Sequence, residues 1–195
     1  MRRFVLLALV LSLPSLAPAS TWELDPAHSN VQFAVRHLMV STVRGRFQKV
    51  QATATFDEAD VTKSAVTATI DAASIDTGNE KRDGHLKSPD FLDAAKFATI
   101  TFKSKSVASA GDGKWKVTGD LTLHGVTKEV VLDVEGSPKP VNDPMGNVRL
   151  GGSASTTIKR SEFGVAWNKP LETGGVMVGD DVQITIDVEL TKKAG

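Results

Sequence analysis

The chain contains no cysteine and no tyrosine, and only eight phenylalanines and three tryptophans supply its aromatic rings. Without thiols there is no disulfide, no thiolate metal site and no cysteine nucleophile, so stability must come from packing and backbone pairing. Long apolar runs are missing too. The longest, Phe4 to Leu13, is ten residues, about half of the roughly 20 that a membrane-spanning helix needs. Charge of one sign is not in excess, since 23 basic residues stand against 23 acidic ones, and a nucleic acid's phosphates reward a basic face that this balance does not provide. No G-x-S-x-G elbow, Walker loop, H-E-x-x-H pair or dinucleotide-binding glycine run occurs. His28, His37, His85 and His124 are scattered without metal-ligand spacing. The expectation is a protein that is not an enzyme and holds neither cofactor nor metal.

What is present begins with Arg2 and Arg3, followed by the apolar run to Leu13, a break at Pro14, and small residues at Ala17-Pro18-Ala19. This is the pattern of a secretory signal peptide. Cleavage after Ala19 leaves 176 residues, one domain spanning 20–195. Because the leader carries two arginines and no acid, the mature chain has 21 basic and 23 acidic residues and a net charge of −2.

From Thr21 onward the dominant period is two, the mark of strands with one apolar face. Val182, Ile184, Ile186, Val188 and Leu190 alternate with Gln183, Thr185, Asp187 and Glu189. The same rhythm runs through Val31–Val35, Val66–Ile70, Ile100–Phe102, Trp115–Leu123 and Val130–Val134. Gly111-Asp112-Gly113 and His124-Gly125 predict hairpin turns, hence an antiparallel sheet. Asn79 to Ser88 is polar and suits a short helix before Pro89, and Pro138 to Pro144 reads as an exposed loop. Roughly eight such strands close into a barrel or stack as a sandwich. Closure removes exposed edges, which favours the barrel.

The chain resembles the YceI family of polyisoprenoid-binding, lipocalin-like periplasmic proteins. The motifs that carry the resemblance are Trp22-Glu23-Leu24-Asp25-Pro26-Ala27-His28-Ser29, Val31–Leu38, Val43–Phe47, Ser74–Asn79, Arg82–Ser88 with Asp90-Phe91-Leu92, Gly119–Lys128 and Arg160–Val165. The resemblance implies an extended eight-stranded antiparallel β-barrel with an apolar central tunnel and a short helical segment. It implies a periplasmic protein that holds a polyisoprenoid or similar long-chain amphiphilic lipid, with no membrane span, and it leaves a homodimer open.

On that reading the tunnel wall draws on Phe33, Val35, His37, Phe47, Phe56, Phe91, Phe97, Phe102, Phe163 and Trp167, each of which would serve equally as ordinary core. His37 shares a face with Phe33 and Val35; it either donates to a head group or quinone oxygen or is a core histidine satisfied by a neighbour. Arg82 and His85, in the non-strand segment, either meet a head group at the barrel mouth or belong to a local salt bridge, Arg82 with Asp83 or a neighbour, among solvated charges. Arg44 and Arg46 face solvent. Asp25, His28 and Ser29 lie within five residues and fix a turn rather than form a triad. A five-carbon isoprene unit contributes roughly 4 kcal/mol of gross burial, so chain-length preference follows how far the tunnel reaches. The alternatives are a stress-related interaction protein whose barrel is filled by its own side chains, and an envelope hydrolase. N-terminal sequencing of the exported protein is expected to begin at Ser20, give or take a few residues; retention of Met1 would remove the leader.

Overall fold

The computed structural model describes residues 19–137, 139–172 and 174–193. All of the expected leader except Ala19 lies outside them. The strands are β1 (Ser20–Leu24), β2 (Asn30–His37), β3 (Ser41–Phe47), β4 (Val50–Phe56), β5 (Ala65–Asp71), β6 (Ile75–Asp76), β7 (Thr99–Gly111), β8 (Lys114–Leu123), β9 (Val126–Gly136), β10 (Val141–Asn142), β11 (Val148–Lys159) and β12 (Val178–Lys192). One α-helix, α1 (Glu80–Lys87), lies between β6 and β7 among the described residues.

Closure rests on β12, which has partners along both edges. One edge pairs with β11, from Arg149↔Thr191 to Lys159↔Asp181. The other pairs first with β1, from Trp22↔Lys192 to Leu24↔Leu190, and then with β2, from Asn30↔Asp187 to His37↔Val178. β1 and β2 are thus two halves of one stave, interrupted where 25–29 loop out. β3 and β4 form the next broken stave, pairing with β2 and β1 respectively, and β5 and β6 form the third. With β7, β8, β9, β11 and β12 this makes a closed ring of eight antiparallel staves. The alternation along β12 places Val182, Ile184, Ile186 and Val188 inside, and that same parity fixes its register, since a one-residue slip would turn them to water.

Two ends follow from the connections. At the helix end lie α1 with its flanking segment 77–98, the 3-10 turn Arg160–Phe163 with the loop to 177, and the β2–β3 and β8–β9 turns. The β8–β9 turn is His124-Gly125, with φ of 52° and 75°, the left-handed pair that matches the twist of a tight hairpin. Phe97 packs on it, 4.6 Å from the His124 ring centre. At the terminal end lie the start of β1 at Ser20, the end of β12 at Lys192, the β7–β8 turn and residues 139–147. The exposed loop expected at 138–144 is partly strand: β10 pairs Val141 with Arg149 and Asn142 with Val148. Asp143 anchors it by accepting from the amides of Met145 and Asn147.

Arg149 ties the terminal end together. Its Nε donates to Asp143 at 2.7 Å, and its Nη1 donates to Asp25 at 2.7 Å and to Glu189. The Arg149 side chain is 16% exposed, so these bonds are less screened than ordinary surface pairs. Asp25 also accepts from the Ala27 amide and meets His28 Nδ1 at 2.9 Å, while Ser29 bonds the Glu189 backbone. The side chains of this loop therefore close the gap between β1 and β2. The His28 and Arg149 bonds hold the Asp25 carboxyl well below the usual range, Asn147 and Arg149 do the same for Asp143, and Asp25 raises His28. The carboxylates contribute stability above their ordinary value of 3.8 and lose it as pH falls through the lower folded values. His28 contributes fully below its ordinary 6.5 and loses that contribution as pH rises through its raised folded value. Melting temperature is expected to peak between these limits. Arg149→Met should shrink the acid limb of the profile and His28→Gln the opposite limb, as read by thermal unfolding across pH.

Candidate functional site

The interior is not filled. A cavity of about 380 Å³ runs along the barrel, within the range of roughly 300–1,000 Å³ typical of small-ligand sites. It begins under Leu86, Phe91 and Leu92, passes Phe33, Ile100 and Phe102, and ends near Leu24, Val134 and Val188. On β12 the lining residues from Val182 to Val188 alone cover about 20 Å at roughly 3.3 Å per residue.

Two glycines keep the bore open. A Cβ on Gly45 would lie 2.4 Å from Phe33 Cζ, and one on Gly119 would lie 2.5 Å from Phe102 Cζ. Both are closer than any real contact, so each ring lies across the backbone of the neighbouring strand. Small residues at Ala52, Ala68, Gly152 and Ala154 complete the open wall.

The terminal end is plugged. Trp22 is fully buried and meets Phe56 edge-on with ring centres 6.2 Å apart. They occupy the inward positions on β1 and β4 beyond Leu24 and Ala52, by the alternation of strand faces. Trp22 Nε1 donates to Ser20 Oγ at 2.8 Å, and Lys192 Nζ lies 5.6 Å from the ring centre. The indole is thereby packed and its one donor satisfied.

The helix end is roofed by two segments. Asn79 caps α1 by accepting from the Arg82 amide. His85, Phe91 and Trp167 pack with ring centres 5.0–5.1 Å apart, joining 77–98 to the loop after β11. That loop is held by Arg160, which is 6% exposed. Its guanidinium donates to the carbonyls of Gly179, Val165, Trp167 and Val178 at 2.6–3.2 Å, and burial lowers its pKa against the opposing influence of Asp180. Arg160 is the one charged residue lining the cavity among the described residues.

Of the residues expected on the wall, Phe33, Val35, Phe47, Phe91 and Phe102 line the cavity. Phe56 belongs to the plug. Phe163 is buried in the core cluster with Ala72, Ile100, Leu123 and Ile158. Trp167 packs in the roof and Phe97 against His124, neither lining the bore. His37 stands at the rim, half-buried, one inward position beyond Val35. Arg82 does not bridge Asp83: both bond Thr77, Arg82 through its Nε at 2.7 Å and its Nη2 to the Thr77 carbonyl, because that hydroxyl sits between them. His85 Nε2 lies 2.8 Å from Asp90. The structure therefore brings five of the rings and valines together and holds the three polar candidates outside the lining. A second grouping, Asp25, His28 and Glu189, places acceptor atoms within 4.8 Å of one another, but Arg149 already supplies the positive charge there.

The YceI-like domain model matches residues 22–190. This chain belongs to the YceI-like family. A UPF0312 protein of Staphylococcus aureus is 42% identical over 167 residues, covering 86% of this chain and 95% of its own. The crystal structure of Burkholderia cenocepacia BcnA superposes with a TM-score of 0.73 at 30% identity, covering 85% of this chain and 98% of that one. A polyisoprenoid binding domain from Saccharophagus degradans, implicated in plant cell wall breakdown, shares the fold with a TM-score of 0.65 at 16% identity, covering 91% and 100%.

In this YceI-like barrel the residues that shape the bore most are ones the periodicity did not single out as site residues. Trp22 lies two positions before Leu24, and Arg160 two after Ile158, so strand parity alone would have turned both inward. Gly45 and Gly119 carry no such signal, because their role depends on a ring from the next strand. Arg160→Met is expected to remove the guanidinium from four carbonyls, of which Val178 keeps the Asn168 side-chain amide, and to cost about 3 kcal/mol, given roughly 1.5–3 kcal/mol for bonds to a charged group and partial relaxation of the loop. Chemical denaturation would measure it; an unchanged midpoint would contradict the clamp.

Proposed function

We propose that this protein is an exported, periplasmic binding protein that holds the tail of a long-chain amphiphilic lipid, isoprenoid in character, inside its barrel. The observation that carries the reading is the open apolar bore, plugged at one end by Trp22 and Phe56 and lined almost entirely by hydrocarbon. Each methylene buried there contributes on the order of 0.8 kcal/mol. The shared fold of the Saccharophagus degradans polyisoprenoid binding domain supports the choice of ligand class, and the leader-like N-terminus supports export.

The plug sets the direction of the ligand. Its tail lies toward Trp22, and its polar head stays at the helix end, near the rim imidazole of His37 and the buried charge of Arg160. Catalysis in the bore is disfavoured on chemical grounds. General acid–base work needs a titratable group in reach of the reacting atoms, and no Asp, Glu, His or Lys is among the described lining residues. A filled barrel that acts only through its exterior is disfavoured by the volume itself.

Native mass spectrometry of protein prepared without detergent tests the proposal. A bound lipid is expected in the wild type, and Ala68→Phe combined with Ala154→Leu should abolish it while circular dichroism retains the strand signal. Wild-type protein that stays empty when offered a polyprenyl lipid would overturn it.

A further inference from the structure

We propose that the β2–β3 hairpin docks the helix end of the barrel onto an anionic lipid bilayer. The turn of that hairpin presents Leu38, Met39 and Val40, 36%, 51% and 78% exposed. Leu38 and Met39 have φ of 50° and 61°, a region that bulky residues rarely occupy and that Asn or Gly would fill more easily in a tight hairpin. Turn geometry therefore gives no reason for these side chains, and packing accounts for only part of them: Met39 Cγ lies against Gly175, while half of Met39 and most of Val40 stay in solvent. The loop beside them extends the patch. The Leu38 amide donates to the Met177 carbonyl at 2.7 Å, and Val176 is 37% exposed.

Within the hairpin the charge behind this apolar tip is of one sign, and the acids on the adjoining start of β12 are engaged elsewhere, Asp180 with Ser161 and Asp181 with Lys159. From Val31 to Phe47 the hairpin carries Arg36, Arg44 and Arg46 and no Asp or Glu. Arg46 pairs with Asp76 at 3.4 Å. Arg36 and Arg44 make no ion pair among the described residues, and both are exposed. Arg36 is held under the tip, donating to the Met39 carbonyl at 2.8 Å and to Thr42 Oγ1 at 3.1 Å. An apolar tip backed by unneutralised arginines fits the boundary between acyl chains and anionic head groups, where the stems lie in the apolar layer and the guanidinium groups meet phosphate. A protein partner fits less well, because a stable interface needs about 800 Å² from each side, far more than a three-residue tip offers.

The opposite end supplies the contrast. Val141 and Met145 are 63% and 79% exposed there, but in that segment the single exposed Lys139 is balanced by Asp143, and Arg149 beside it is committed to Asp25, Asp143 and Glu189. Apolar exposure exists at both ends, and at the hairpin it is accompanied by two arginines, unpaired among the described residues, on an element that carries no acid. The inference rests on this surface and not on what occupies the bore, so vesicle binding and lipid retention can fail separately.

Flotation of the mature chain with vesicles of phosphatidylglycerol in phosphatidylcholine tests the inference, with phosphatidylcholine alone as reference. Binding is expected to the anionic vesicles and to weaken with added salt. Met39→Asp with Val40→Asp should abolish it, and Arg36→Gln and Arg44→Gln should each lower it about fivefold. Val141→Asp with Met145→Asp should leave it unchanged. Thermal melts confirm that each variant is folded, and Val40→Asp alone serves if the double variant is not. Wild-type protein that does not float, hairpin variants that float as well as wild type, or equal loss from the Val141 and Met145 pair would each overturn the docking surface.

Discussion

Everything in this molecule depends on β12 finding hydrogen-bond partners along both of its edges. The pairing to β11 on one side and to β1 and β2 on the other converts an open sheet, with two exposed ladders, into a closed wall. Because β1 and β2 must share one edge of β12, the chain between them loops out, and the adjoining stave breaks at the same level between β3 and β4. The interruption would leave polar backbone exposed. The side chains of Asp25, His28, Ser29, Arg149 and Glu189 stitch the first break, and Ser74 bonds the amide of Lys49 at the second.

A closed wall does not by itself leave a hollow. The lumen stays open because the rings of Phe33 and Phe102 lie over glycines, and because alanine and glycine alternate with larger residues along the inward faces. An apolar bore left empty forfeits the dispersion contacts that its lining would otherwise make. A barrel that retains such a space gains stability from whatever hydrocarbon fills it, since an occupant that binds only the folded state shifts the unfolding equilibrium toward it.

The staves were legible in the residues wherever one face is clean. The alternation from Val182 to Leu190 and the His124-Gly125 turn correspond to β12 and to the β8–β9 hairpin. The helix before Pro89 lies at Glu80–Lys87. What periodicity does not decide is which edges meet, because closure joins residues as far apart as Trp22 and Lys192; the family resemblance implies a closed barrel without giving that pairing. β10 was missed because two residues are too few to show a period. At the site, the aromatic composition pointed to a ring-lined interior, but composition cannot separate Phe33, which lines the bore, from Phe97, which packs on an outer turn. Arg82 and His85 stood out for their charge, yet local bonds to Thr77 and Asp90 occupy them. The buried charge that does reach the bore, Arg160, follows Ile158 by two residues and carries no sequence signal beyond that parity.

The indole of Trp22 and the ring of Phe56 make the interior a cup rather than a pipe. A cup conducts nothing from one side to the other; whatever it contains must come and go at the helix end, between the two segments that roof it. Filling and emptying are then mutually exclusive in time, and one occupant has to depart before its successor can be seated.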